Sequence, residues 1–305
     1  MINVVFATFN GSLTLQRMLP CLKKLNSPPC PWRIIAVDNE STDSSFELLR
    51  SFTDTLPLQV LRCSGRGKNR ALNMALGVID GDLIILTDDD VLPASDWLTQ
   101  FWNLATTQTK YDIFGGVVRA DFPIQPPVWV EKAWIPLDIA YAITEHGSEG
   151  ATHPGWIRGP NMAVRRRVFE SGLRFNDAVG PGPGQYAMGS ETDFSRRAVA
   201  EGYQLWFSHK PVVAHQVREN QFSKDWLMGR AYRHGLGRAS RMPTLNEPFI
   251  FGVPRWLWRQ YLTSKIKAFF GQVLLQTEIE FRYGWQAEFN RGMVQHYRSK
   301  AKKKD

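Results

Sequence analysis

Cysteine is scarce in this chain: three residues, Cys21, Cys30 and Cys63, an odd number with no C-x-x-C spacing. That excludes a disulfide framework or a zinc site as an organising principle, and a reducing, cytoplasmic setting is expected. Long apolar runs are missing as well, since no stretch reaches the roughly 18 uncharged apolar residues that a spanning helix needs. The first residues, Met1-Ile2-Asn3, lead straight into strand formers without a basic segment or a small-residue cleavage site, so no secretory signal is expected. The excess of 37 basic over 29 acidic residues gives a formal charge of +8, yet residues 291–305 alone hold six basic residues against one acid. A nucleic-acid partner would want cations spread over a face, so none is expected. A short basic tail fits either a solvated terminus or contact with an anionic membrane surface.

What is present is a hydrophobic content of 43% over 305 residues, enough for one large α/β domain with an appendage. Residues 3–9 are nearly all strand formers; Asn10-Gly11-Ser12 breaks the run, and Leu15, Met18, Leu19 and Leu22 follow at helical spacing. The cycle of strand, turn and helix recurs over 33–52 and again over 59–78, and a fourth strand, 83–86, ends in Thr87-Asp88-Asp89-Asp90. Short apolar strands alternating with helices predict a mostly parallel sheet covered on both faces. In such sheets ligands sit outside the carboxyl ends of the strands, so polar residues just after a strand are functional candidates. Further strands are predicted over 111–119 and near 205–207 and 211–214, and a helix over 191–201. The Gly/Pro run 180–189 reads as a lid or as an ordinary long loop. Residues 122–156, rich in Pro and Trp, show no period, and beyond residue 222 the pattern is helical.

The sharpest local signal is the triplet Asp88-Asp89-Asp90. Three adjacent carboxylates repel one another, and a bound divalent cation would relieve that; a solvated acidic turn is the competing reading. In extended backbone Asp88 and Asp90 point to one side and Asp89 to the other. Hard oxygen ligands suit Mg²⁺ or Mn²⁺, which would also engage a substrate's phosphates. Asp38, after the second strand, is placed to accept hydrogen bonds from a base or ribose, while Asp38 or Asp43 alone is equally an Asx-turn or cap residue. The loop Gly65-Arg66-Gly67-Lys68-Asn69-Arg70 brings three cations to a helix N-terminus, which suits phosphate or plain solvation. Ser190-Glu191-Thr192-Asp193 reads as a helix start, with Ser190 capping and Asp193 pairing with Arg197 one turn on. Arg230, His234 and Arg238 would share a helical face, although Gly235 and Gly237 weaken that helix.

Six pieces in order resemble the inverting glycosyltransferases of family 2. They are Val4-Val5-Phe6-Ala7-Thr8-Phe9-Asn10, Val37-Asp38-Asn39-Glu40-Ser41-Thr42-Asp43, Asn69-Arg70-Ala71-Leu72-Asn73, Thr87-Asp88-Asp89-Asp90-Val91-Leu92-Pro93, Gly159-Pro160-Asn161-Met162-Ala163-Val164-Arg165 and Gly189-Ser190-Glu191-Thr192-Asp193-Phe194-Ser195-Arg196-Arg197. The resemblance implies an α/β GT-A fold, a Rossmann-like, mostly parallel sheet flanked by helices, with a helical C-terminal appendage. It implies a catalytic domain over 1–222, with a donor half to about residue 120 and an acceptor half beyond, followed by a basic and aromatic region over 223–305. It further implies a donor site in which Thr8, Asp38, Arg70, Asp88 and Asp89 hold a UDP- or GDP-sugar, and Asp90 and His215 hold Mg²⁺ or Mn²⁺. Glu191 matches the general-base position, where the family often has Asp. A saccharide or lipid-linked acceptor in cell-surface polysaccharide or glycolipid synthesis is the implied setting.

Two other classes compete. A scaffold that binds nucleotide or lipid without catalysis would have no use for Glu191. A nucleotidyltransferase would want a cationic Gly-rich loop directly after the first strand, where Asn10-Gly11-Ser12 stands. From residue 254 on, Trp256, Leu257, Trp258, Tyr261, Leu262, Phe269 and Phe270 mix with Arg255, Arg259, Lys265 and Lys267. That mixture fits peripheral contact with the cytoplasmic face of a membrane, packing on the catalytic domain, or a second subunit.

Overall fold

A computed structural model describes residues 1–184, 186–243 and 248–301. Gln185, inside the 180–189 run, and the tail residues Lys302, Lys303, Lys304 and Asp305 lie outside the described residues, as does 244–247. In chain order the elements are β1 (Ile2–Thr8), α1 (Ser12–Lys23), β2 (Trp32–Asp38), α2 (Ser45–Ser51), β3 (Leu58–Arg62), α3 (Lys68–Ala75), β4 (Leu83–Leu86), β5 (Val91–Pro93), α4 (Trp97–Thr107) and β6 (Ile113–Asp121). Then follow α5 (Val128–Glu131), α6 (Leu137–Ala140), β7 (Gly150–Ala151), β8 (Met162–Arg165), α7 (Arg166–Glu170), α8 (Ser190–Ala200) and β9 (Leu205–Gln216). The chain ends with α9 (Lys224–Ser240), β10 (Phe249–Ile250), β11 (Val253–Pro254), α10 (Arg255–Val273) and α11 (Thr277–Ala301).

Two compact units emerge. The first gathers Met1–Asp121, Ala142–Pro183 and Ser190–Val217 around one sheet of order β3-β2-β1-β4-β8-β6-β9-β5, with β7 on β9. From β3 to β4 the pairing is parallel; β8 then runs antiparallel to both β4 and β6. The central strands are apolar on both faces because both are covered. Val4, Phe6, Ile34 and Ile85 meet Leu15, Met18 and Leu19 of α1 and Phe101 of α4. The alternate residues Val5, Ile35, Val37 and Ile84 meet Ala71 and Leu72 of α3 and Phe194 of α8 on the other face. Each such large side chain, fully buried, contributes roughly 1.5–3 kcal/mol.

Register decides where chemistry goes. Thr8 pairs with Asp38 at the carboxyl ends of β1 and β2, and β4, on the other side of β1, ends one residue before Thr87, whose N–H donates to Val5 O at 3.0 Å. The strand order reverses direction about β1, which opens a crevice at those ends. Two predicted strands fuse into the single β9: its pairing with β6 shifts between Gly115 and Val117, so that residues 208–211 bulge and the strand resumes at Val212.

The second unit gathers Phe122–Tyr141, Gly184–Gly189 and Arg218–Asp305. The glycines that weaken α9 on propensity are there for contact. A Cβ on Gly235 would collide with Phe289 O of α11, and one on Gly292 with Tyr232 O of α9. Arg230 Nε donates to Ile139 O at 3.2 Å and the His234 ring packs on Phe289 with centroids 5.1 Å apart, so two members of the expected cationic face are engaged within this unit. Among the described residues no helix is long and apolar enough to cross a membrane.

Candidate active site

Thr8, Asp38, Arg70, Asp88, Asp89, Asp90, Glu191 and His215 all belong to the first unit, whereas Arg230, His234 and Arg238 belong to the second. Thr8, buried at the end of β1, donates its hydroxyl to Asp89 Oδ2 at 2.5 Å, joining the β1 end to the Asp triplet. Gly11 lies so close to this pair that a Cβ there would collide with both side chains. Asp38 is 2% exposed, with Arg62 Nε 3.9 Å from Oδ2 and with Oδ1 lacking any hydrogen-bond donor among the described residues. Asp43 fulfils the Asx-turn reading: Oδ1 accepts from the Ser45 N–H at 3.0 Å, and Oδ2 accepts from Ser12 N–H at 3.1 Å. Burial pushes its carboxyl up, but the Ser45 and Ser12 donors outweigh that and hold it down at about 2. Asn10 and Glu40, which follow β1 and β2, adopt φ of +52° and +62°. Non-glycine residues in that region concentrate at functional sites.

The centre of the crevice holds a cation that the sequence left as one of three in a loop. Lys68, the first residue of α3, places Nζ 2.5 Å from Asp88 Oδ1 and 3.1 Å from Glu191 Oε1. It stands one turn before buried Leu72, the spacing that aims it at the sheet. Burial pushes the Glu191 carboxyl up, but Lys68, a backbone hydrogen bond and Arg158 pull harder, so the group lies below the usual glutamate range. Asp88 goes the other way: burial raises it, the like charges of Asp90 and Glu191 add to that, and Lys68 only partly opposes them. Lys68 itself is held far into its protonated form, burial notwithstanding, by Asp88 and Glu191. Two carboxylates thus share one ammonium, with the like charge of Asp90 beside Asp88. Arg70, by contrast, is exposed, with its guanidinium against Gly65.

Asp90 turns to β9, where His215 Nε2 lies 3.3 Å from Asp90 Oδ2 and both side chains are mostly buried. The pairing of β5 with β9 brings them there, Val91 opposite His215. Glu191 is fixed by its surroundings as well. A Cβ on Gly159 would collide with Oε1, which gives the Gly159-Pro160-Asn161 segment its glycine. Asn161 is a structural pin: Nδ2 donates to Val117 O and Pro211 O at 2.8 and 2.9 Å, and Oδ1 accepts from Trp97 Nε1 at 2.8 Å. Ser190, read as a cap, donates its hydroxyl to Asn69 Oδ1 at 2.6 Å. Asn69 Nδ2 donates to Asn176 O and Val179 O, each at 2.7 Å, and Lys68 N–H donates to Pro181 O at 2.9 Å, so the start of the 180–189 run is tied to α3. Asp193 pairs with Arg197 at 3.0 Å, as the spacing predicts.

The profile of glycosyl transferase family 2 matches residues 3–172. The succinoglycan biosynthesis protein ExoM of Rhizobium meliloti is 27% identical over 232 residues, 72% of this chain and 69% of that protein. Glycosyltransferase AglE of Haloferax volcanii is 24% identical over 264 residues, 84% of this chain and 79% of that protein. Among solved structures, the mannosyltransferase PcManGT of Pyrobaculum calidifontis, in complex with GDP-Man and Mn²⁺, superposes with a TM-score of 0.64 at 18% identity, covering 97% of this chain and 86% of that one. TarS of Staphylococcus aureus in complex with UDP-GlcNAc does so with a TM-score of 0.55 at 13% identity, covering 99% and 92%. The sheet order, the flanking helices and these superpositions make the fold that of the GT-A glycosyltransferases. With the profile spanning more than half of the sequence, the chain belongs to glycosyl transferase family 2, a family of sugar-transferring enzymes.

Proposed function

We propose that the chain transfers a sugar from a nucleotide-diphosphate sugar to a hydroxyl of a saccharide or lipid-linked acceptor, by one displacement that inverts the anomeric carbon. The observation that carries this reading is Lys68 bridging Asp88 and Glu191 at the carboxyl ends of the strands. A buried glutamate kept ionised by a lysine can accept a proton, and a pure binder has no need of one. The acceptor oxygen bonds to the anomeric carbon as the bond from that carbon to the diphosphate oxygen breaks. The electron pair departs with the nucleoside diphosphate, and the hydroxyl proton passes to Glu191.

Asp38, with one buried oxygen lacking a donor, receives an N–H of the base or an O–H of the ribose. Thr8 and Asp89 line the same edge, Asp88 faces the ribose and diphosphate, and Arg70 reaches the diphosphate. Most of these donor contacts lie in residues 1–120, the proposed donor half, while Glu191 and His215 come from the proposed acceptor half, 121–222.

Mg²⁺ or Mn²⁺ fits the residues present. Asp88 and Glu191 share one lysine, the like charge of Asp90 acts on Asp88, and Asp90 faces His215 at 3.3 Å. Among the described residues no three His, Cys, Asp or Glu side chains converge as ligands. Asp90 and His215 would hold the ion, with phosphate oxygens and water completing its shell, as is usual for cations that work on diphosphates. Bound there, it supplies neutralisation of the charge that builds on the leaving diphosphate.

The relative named for succinoglycan biosynthesis and the structural neighbours bound to GDP-Man and UDP-GlcNAc support a UDP- or GDP-sugar donor and a role in cell-surface glycan assembly; work at the cytoplasmic face of the membrane is a further part of the proposal. The test is titration of wild type and Asp90→Ala with a panel of nucleotide-sugars, with Mn²⁺, with Mg²⁺ and with chelator. One donor class should bind in a metal-dependent way, weakened at least about tenfold in Asp90→Ala. Absence of binding by every nucleotide-sugar with either metal would overturn the reading.

A further inference from the structure

The aromatic and basic segment from residue 254 divides into two parts that behave differently. Its first half is mostly spent on packing, with Leu257 buried beside Met293 and Val294 and Trp256, Trp258 and Tyr261 packed against that cluster, while Leu262 stays 53% exposed. Its second half is not. Ile266, Phe269, Phe270 and Val273 of α10, and Leu274 and Leu275 of the turn into α11, are all more than half exposed, Leu275 to 89%. Residues 266, 269, 270 and 273 repeat at helical spacing, so the exposed stripe runs down α10 and onto the turn. The opposite side of α10 is already used, for Gly271 touches the backbone of Glu280 so closely that a Cβ would collide.

Leu275 is the telling residue. It follows the end of α10 with φ of +54°, a position where glycine or asparagine is sterically preferred. A leucine there gains nothing inside the fold, since it is the most exposed large apolar residue among those described.

Charge identifies the partner. Helix α10 carries Arg255, Arg259, Lys265 and Lys267 and no acid. The nearby acids on α11 are already committed, Glu278 to Arg282 at 2.7 Å and Glu280 to Lys224. Lys265 lies over the Tyr261 ring and Lys267 meets Tyr283 Oη at 3.2 Å, and among the described residues neither ammonium has a carboxylate counter-ion. A second copy docked on this stripe would lay cations against cations. An anionic bilayer accommodates both features: from Lys267 to Leu274 the helix rises about 10 Å, roughly the depth between headgroup phosphates and the upper acyl chains.

We propose that the α10–α11 turn is a membrane-docking tip, inserting Phe269, Phe270, Val273, Leu274 and Leu275 into the interface of an anionic bilayer while Lys265 and Lys267 engage lipid phosphates. The test is sedimentation of the full chain with vesicles of phosphatidylcholine alone and of phosphatidylcholine with phosphatidylglycerol. Wild type should partition onto the phosphatidylglycerol vesicles. Leu274→Ser/Leu275→Asn should lower that partitioning about tenfold or more, and Lys265→Gln/Lys267→Gln should lower it by a similar factor and flatten its salt dependence. Unchanged circular dichroism and melting of the variants keep the comparison sound. The proposal is overturned if wild type binds neither vesicle, or if the tip variants bind like wild type, as they would were the C-terminal lysines responsible. It is equally overturned if lipid-free wild type self-associates and the tip variant does not, which would make the stripe an interface between two copies.

Discussion

At the scale of single residues, Lys68 sets the acid–base state of the crevice. Without it, burial would dominate Glu191 and push its carboxyl upward. A group whose folded pKa is depressed is ionised down to unusually low pH, so wild-type turnover should stay flat from neutrality down through the ordinary glutamate range. In Lys68→Met the acid limb of kcat should move to higher pH, read from the pH–rate profile; an unmoved limb would remove Lys68 from the account. Gly159→Ala should displace Glu191 and reduce kcat by about 10- to 100-fold, with donor affinity nearly unchanged in a direct titration. Thr8, Asp38 and the Asp triplet were legible in the sequence because a strand end is a sequence-local feature. Lys68 was legible only as one of three loop cations, since its partners Asp88 and Glu191 are 20 and 123 residues away. The same distance hid the structural role of Asn161, whose three partners come from α4, β6 and β9.

Helix α9 shows at the level of elements why propensity misleads. Three glycines interrupt it, and it remains one helix over Lys224–Ser240 because two of them let other backbone come close. Gly235→Ala should force α9 from α11 and destabilise by about 1–3 kcal/mol or more, with Gly292→Ala matching it from the other side. Gly229→Ala, where a Cβ would meet only the end of the flexible Arg233 side chain at 3.3 Å, should be neutral or gain up to about 1 kcal/mol of helix propensity. Thermal unfolding of the three variants checks the contrast; equal losses would show that helix contact is not what the glycines serve. Strands β1 to β4 and β6 were readable as short apolar runs, whereas β5, β7 and β8, of two to four residues each, were too short to show a pattern. Fusion of two predicted strands into β9 was not, because the bulge at 208–211 is dictated by pairing with β6. Residues 122–156 gave no period since they form two four-residue helices, the two-residue strand β7 and short turns.

For the whole molecule, the family match ends at residue 172, before Glu191 and His215. The geometry therefore carries the proposed base and the proposed ligand pair, both within the first unit together with the donor-side residues. Ligand linkage gives a global readout: a donor with Mn²⁺ at a hundredfold excess over Kd should stabilise the fold by about 2.7 kcal/mol, and chelator should abolish the accompanying rise in Tm. The most direct measurement is of donor affinity and turnover side by side in wild type and Glu191→Gln. The account predicts a turnover loss of about 10²- to 10⁴-fold with the donor Kd essentially unchanged. Turnover in Glu191→Gln equal to that of wild type would contradict it, and the proton would then have to be taken by another group.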